Sequence, residues 1–119
     1  MRLTGLSYEQ IVKKGGGIVS SIEGVRKSST SQLIEKVKER MNRFIANGTT
    51  TIEAKSGYGL NTQSELKSLD VIGEVNKSHE IDMIPTFMGA HAFPKEFELR
   101  RADYIQTICD EMILSLIHI

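Results

Sequence analysis

A tyrosine stands between two glycines, Gly57-Tyr58-Gly59, at the end of a stretch that begins TTIEAK. Further on, IPTFMGAHAF carries a strand-like run to Gly89 and places His91 two residues later. A phenol donates hydrogen bonds to carboxylate or ring oxygens; an imidazole donates, accepts or transfers a proton near neutral pH. Tyr58 and His91 are therefore the first candidates for chemistry. Each has a plainer reading. The glycines would serve a strand-to-helix turn, with Tyr58 covering apolar surface. His91 would be a surface loop residue, or a packed and hydrogen-bonded one. Glu53 and Lys55 are charges at a strand's end. They are either catalytic or satisfied by their neighbours.

Other residues carry weaker signals. Gly15-Gly16-Gly17 invites a phosphate-loop reading. It follows no clear strand and lacks the Gly-Lys-Ser/Thr ending, so a plain chain break is the better account. His79 and His118 have no ligand partner at metal-binding spacing. Cys109 falls on an apolar helical face and reads as core.

Positioning Tyr58 and His91 requires strands beneath them. Thr49 to Lys55 and Ile81 to Phe87 have strand character, and Pro85 argues for an end or edge position in the second. Between them, Leu66, Leu69, Ile72 and Val75 repeat at helical spacing, with Thr62 and Glu65 as an expected capping box and Gly73 as a weak point. Upstream, Ser29 and Gln32 form a capping box ahead of Leu33, Ile34, Val37, Met41, Phe44 and Ile45, and Asn47-Gly48 supplies the stop. Residues 6–14 suit a short helix, capped by Ser7 and stopped at Gly15; Ile18 to Val25 is open. Downstream, Tyr104, Ile105, Ile108, Cys109, Met112, Ile113 and Leu116 repeat as a further helix. Helix, strand, helix, strand, helix predicts parallel strands with crossover helices. In such folds ligands bind beyond the carboxyl ends of the strands. The loops 56–61 and 88–93 would then share one face, with Tyr58 and His91 over one pocket. His79 would lie at the opposite end.

The chain has 119 residues, 39% hydrophobic and 25% charged, the profile of one small globular unit or a piece of a larger one. Fifteen basic and fifteen acidic residues cancel, so no basic stripe points to nucleic acid and no polybasic arm to a membrane. One cysteine cannot make an internal disulfide, and the N-terminus lacks a signal-peptide core, so the expected location is cytoplasmic.

Three quoted segments, in order, carry a family resemblance. GTTTIEAKSGYGL followed by ELK resembles a characteristic segment of imidazolonepropionase, an amidohydrolase-superfamily enzyme of histidine degradation. PTFMGAHAFPKEF resembles its next strand and loop, and GLSYEQIVKKGGGIVSSIEGVRKSS the segment upstream. The resemblance runs from about Gly5 to Ile113. It implies α/β architecture: part of a metal-dependent hydrolase (β/α)8 barrel, about two parallel β/α units plus a preceding helical segment, with residues 1–119 a fragment and no complete domain present. It implies hydrolysis of a cyclic amide C–N bond, opening 4-imidazolone-5-propanoate to N-formimidoyl-L-glutamate with water activated by zinc or iron. It makes Tyr58 a substrate contact, and His91 a substrate contact and catalytic residue that stabilises the developing oxyanion.

The resemblance also implies what this chain does not supply. The family's His-x-His metal pair and substrate-binding arginine are expected before Met1, and a later histidine and aspartate after Ile119. No metal ligand is therefore assigned here, and the isolated chain is expected to be inactive. The tail LSLIHI departs from the family pattern. The expected partner is the small-molecule substrate, with no nucleic acid and no membrane; a homo-oligomer is one arrangement open to the full-length enzyme. Two rivals remain: a small-ligand-binding α/β module without catalysis, and a structural piece whose strand edges pair with another chain.

Overall fold

Two helices, two short strands and a crossover helix make up the frame. A computed structural model describes Gly5 and residues 18–117. The expected helix over 6–14, the glycine triplet and His118 lie outside the described residues. Ile18–Lys27 forms helix α1, settling the stretch left open by sequence. Thr30–Ala46 forms α2. Its capping box is present: Ser29 Oγ accepts from the Gln32 N–H, and Gln32 returns the bond to the Ser29 N–H. Asn47 closes the helix and Gly48 turns out of it with φ of 82°.

Strands β1 (Thr51–Lys55) and β2 (Asp82–Thr86) pair in parallel, in register from Thr51–Asp82 to Lys55–Thr86. The crossover helix α3 (Thr62–Ser78) joins them. Both strands are shorter than the sequence patterns, but pairing flanks them: Asp82 N–H donates to the Thr50 carbonyl and Ser56 N–H to the Thr86 carbonyl. Each strand is an edge of this two-stranded sheet, which accommodates Pro85 opposite Ala54.

The expected Thr62–Glu65 capping box is not what starts α3. Asn61 is the N-cap, its side chain accepting from the Ser64 N–H at 2.8 Å. Thr62 instead donates to Glu111. Glu65 is turned inward, to a task described below. Gly73 does not interrupt the helix.

The main core lies between α2, α3 and one face of the sheet. Met41, Leu69, Ile72, Val75, Ile81 and Met83 are buried together, with Ile52 and Ala54 of β1 packed on them. Each such side chain contributes roughly 1.5–3 kcal/mol of transfer free energy when fully buried. The other sheet face carries Thr51, Glu53, Lys55 and Ile84, all exposed.

After β2 come a 3-10 turn at Lys95–Phe97, helix α4 (Arg101–Thr107), a π-helical stretch Ile108–Ile113 and helix α5 (Leu114–Leu116). Tyr104, Ile108 and Met112 point inward from this run and, with Leu60, form a second buried cluster. Cys109 is a correction: it is exposed, not core. Ile105 and Ile113 share its outward row. The run packs on its neighbours along one row at i, i+4, so the adjacent apolar row stays in solvent. Among the described residues no helix is long and apolar enough to cross a membrane.

Candidate functional site

The loop after β1 is built around one side chain. Glu65, with no exposed surface, accepts the Gly57 N–H on Oε2 at 2.7 Å and the Gly59 and Leu60 N–H groups on Oε1, both at 2.8 Å. Three converging donors suit a carboxylate, whose oxygens only accept. The loop needs this hold. Gly57 has φ of 97° and Leu60 has φ of 52°, the second costing ~1–2 kcal/mol for a residue with a side chain. From outside, Arg26 of α1 donates to the Gly59 and Leu60 carbonyls at 2.7 and 3.3 Å. It also pairs with Glu96 at 2.6 Å, tying the loop to the segment that follows His91. Partial burial pushes the Glu96 carboxyl up, but its bonds to Arg26 and to backbone leave it below its usual value. Lys67 of α3 closes the carboxyl end of α1, donating to the Val25 and Ser28 carbonyls at 2.9 Å.

The loop after β2 is held differently. The buried Ser56 accepts the Met88 N–H at 3.0 Å. The Tyr104 hydroxyl, 1% exposed at the residue level, donates to the Gly89 carbonyl at 2.7 Å. Burial, with the Glu65 charge nearby, pushes the Tyr104 phenol up to about 12. Phe93 and Phe97 pack their rings on Tyr104, at centroid distances of 5.9 and 5.2 Å.

These two loops bring Tyr58 and His91 together. Their ring centroids are 6.0 Å apart, both side chains are exposed, and both stand beyond the carboxyl ends of neighbouring parallel strands. The His91 ring lies on Gly57: a Cβ there would meet the ring at 2.9 Å and the Met88 carbonyl at 2.7 Å. Gly57 is thus needed for its backbone angle and for the closeness of His91. Gly59 has a different reason, since a Cβ would meet Ser64 at 2.4 Å.

His91 Nδ1 lies 2.8 Å from the Met88 carbonyl. A carbonyl only accepts, so Nδ1 carries the proton and Nε2 is the nitrogen offered to a ligand. Glu53 and Lys55 do not join this pair. They face each other and Thr86 Oγ1 donates to Glu53, so these bonds hold the Glu53 carboxyl below its usual value. A cleft of about 240 Å³ along β1 is lined by Tyr58, Val25, Met41 and Ala54, and His91 is not in its wall. His79 caps α3 at the other end of β2, bonded to Asn42 and the Ile81 N–H. Among the described residues no three His, Cys, Asp or Glu side chains come together as a metal site.

Sequence reasoning found Tyr58, His91 and the glycines. It missed Arg26, Tyr104 and the use of Glu65. Only Glu65 had a usable signal, a carboxylate a few residues past a glycine-rich turn, and the capping-box pattern absorbed it.

Comparison with known proteins agrees with the motifs. The chain is 41% identical over 117 residues to the imidazolonepropionase of Alkaliphilus metalliredigens, covering 98% of this chain and 28% of that protein. It is 44% identical over 117 residues to that of Shewanella sediminis, covering 98% and 29%. It is 46% identical over 112 residues to that of Clostridium tetani, covering 94% and 27%. The chain is similar to imidazolonepropionases over nearly its whole length. It spans little more than a quarter of the length of these curated relatives. No protein-family model matches it. Similarity to imidazolonepropionase therefore covers both loops and the elements that hold them, and the pairing of Tyr58 with His91 falls within it.

Proposed function

We propose that this chain is part of an imidazolonepropionase and supplies one wall of its substrate site. The whole protein would open the ring of 4-imidazolone-5-propanoate by hydrolysis, giving N-formimidoyl-L-glutamate, in the cytoplasm, on a (β/α)8 barrel to which β1, α3 and β2 belong. Zinc or iron would be its cofactor, on ligands outside these residues, since among the described residues no three His, Cys, Asp or Glu side chains come together to hold one. The observation that carries the reading is the Tyr58–His91 pair at the carboxyl ends of parallel strands, inside a segment similar to that enzyme.

The chemistry of the pair follows from its bonds. Nδ1–H of His91 is committed to Met88, so Nε2 meets the imidazolone. Neutral, Nε2 accepts a ring N–H; protonated, it donates to the ring oxygen as charge develops there. The Tyr58 hydroxyl, at the tip of a clamped turn, donates to the substrate carboxylate or ring oxygen. A donor aligned with developing charge is worth ~3 kcal/mol in the transition state. A hydroxyl that only positions the substrate contributes binding.

In the full-length protein, His91→Ala should lower kcat on the order of 100-fold, the loss of one such donor. Tyr58→Phe should mainly raise KM, and circular dichroism should stay unchanged in both. Loss of the imidazolone absorbance gives the rates. Unchanged turnover in His91→Ala would remove its catalytic role. The isolated 119-residue chain should not turn over, and metal-dependent activity in it would contradict the proposed division of labour.

A further inference from the structure

We infer that Glu65 is a positioning residue of the substrate site: its buried carboxylate sets the Gly57–Leu60 loop so that Tyr58 stands beside His91. The inference rests on the imidazolonepropionase reading for its activity test, and on geometry for the rest. Glu65 lies beneath the loop, fully buried, and touches neither Tyr58 nor His91 through any of its three hydrogen bonds. Those bonds run to residues on both sides of Tyr58, so the carboxylate fixes where the tyrosine leaves the backbone. It also holds Gly57, whose Cα face carries the His91 ring. One side chain therefore sets both members of the pair.

A turn with left-handed residues at Gly57 and Leu60 relaxes unless it is over-determined. Helix α3 does not need Glu65 as a cap, because Asn61 already fills that place. A carboxylate buried without a cap to make is spent on the loop. Glu65→Gln keeps size and shape but turns one acceptor oxygen into an amide donor facing a backbone N–H. Glu65→Asp keeps both acceptors and draws them back by one methylene.

The test uses the full-length protein with Glu65→Gln and Glu65→Asp, each alone and combined with Tyr58→Phe. Glu65→Gln should lower kcat/KM about 10- to 100-fold, as displacement of a substrate-positioning group does. Glu65→Asp should lose less. Because part of the effect of Glu65 runs through Tyr58 and part through His91, its substitution should cost less in the Tyr58→Phe background than in the native one. Equal losses in the two backgrounds, or none, would overturn the inference. So would loss of fold in both variants, since Glu65 would then serve the domain and not the loop. Side-chain nitrogen shifts of His91, read by NMR, separate this inference from the functional reading. They should move in Glu65→Gln whether or not the native protein opens an imidazolone ring. An inactive native protein with moved His91 shifts sinks the function alone; unmoved shifts sink the positioning role.

Discussion

After β1, the N–H groups of Gly57, Gly59 and Leu60 turn toward one buried carboxylate, whereas after β2 the Gly89 carbonyl is held by a neutral phenol inside a cage of rings. The first loop is polar at its heart and strained in its backbone; the second is aromatic and relaxed. The difference follows the side chain each must present. Tyr58 sits at the tip of a tight turn, where backbone donors face inward and need a charged acceptor. His91 sits in a wider loop whose own carbonyl, Met88, orients the imidazole. Two loops that bring Tyr58 and His91 together are thus braced by unlike means, and they should fail in unlike ways.

The largest contrast should appear on adding a methyl group to each loop. Gly57→Ala combines a left-handed φ with a clash against backbone and the His91 ring, so it should cost about 3 kcal/mol. Gly89→Ala meets side chains and no backbone, the Phe87 ring edge at 2.6 Å and Met112 Sδ at 3.4 Å, and should cost about 1–2 kcal/mol. Denaturant midpoints of the two variants give the comparison, and equal losses would mean that the first loop is not the strained one.

Tyr104 gives the second loop a pH signature. Its folded pKa, about 12, lies above the ordinary 10.0, so the neutral phenol is the form that folding favours. Its contribution is complete below pH 10 and is lost as pH rises through about 12. Native stability should therefore fall over that range by on the order of 2 kcal/mol more than that of Tyr104→Phe. At neutral pH the variant should lose only about 1 kcal/mol, one hydrogen bond. Parallel pH profiles for the two proteins would show that Tyr104 does not brace the loop.

The smallest effect belongs to the link between the loops. Arg26 and Glu96 are partly solvated, so Glu96→Gln should cost less than about 1 kcal/mol, fading at high salt. A cost above about 2 kcal/mol would make the two loops one cooperative unit.

How much of this was legible beforehand follows the range of the forces involved. The Ser29–Gln32 box, the strand at Thr51–Lys55 and the apolar face of α3 are local patterns, and the chain writes them within a few residues. The strand–glycine–polar pattern also marked Tyr58 and His91, because in parallel α/β units the carboxyl ends of strands share a face. Glu65 was read as a cap because capping boxes have the same residue types; only the folded loop shows that Asn61 had taken that role. Cys109 was read as core because periodicity counts apolar residues and cannot tell which of two neighbouring rows finds a partner.

By itself the sequence determined helices α2 and α3, the helical run from Tyr104, the two strands, their parallel order and the two side chains worth testing, since each depends on propensity, spacing and the handedness of crossovers. The tertiary structure alone decided which carboxylate braces the turn, which nitrogen of His91 faces outward and which helix row is buried. Those depend on hydrogen bonds and contacts between residues far apart in the chain, such as Arg26 with Leu60 and Tyr104 with Gly89, and no local pattern encodes a partner that folding has yet to bring near.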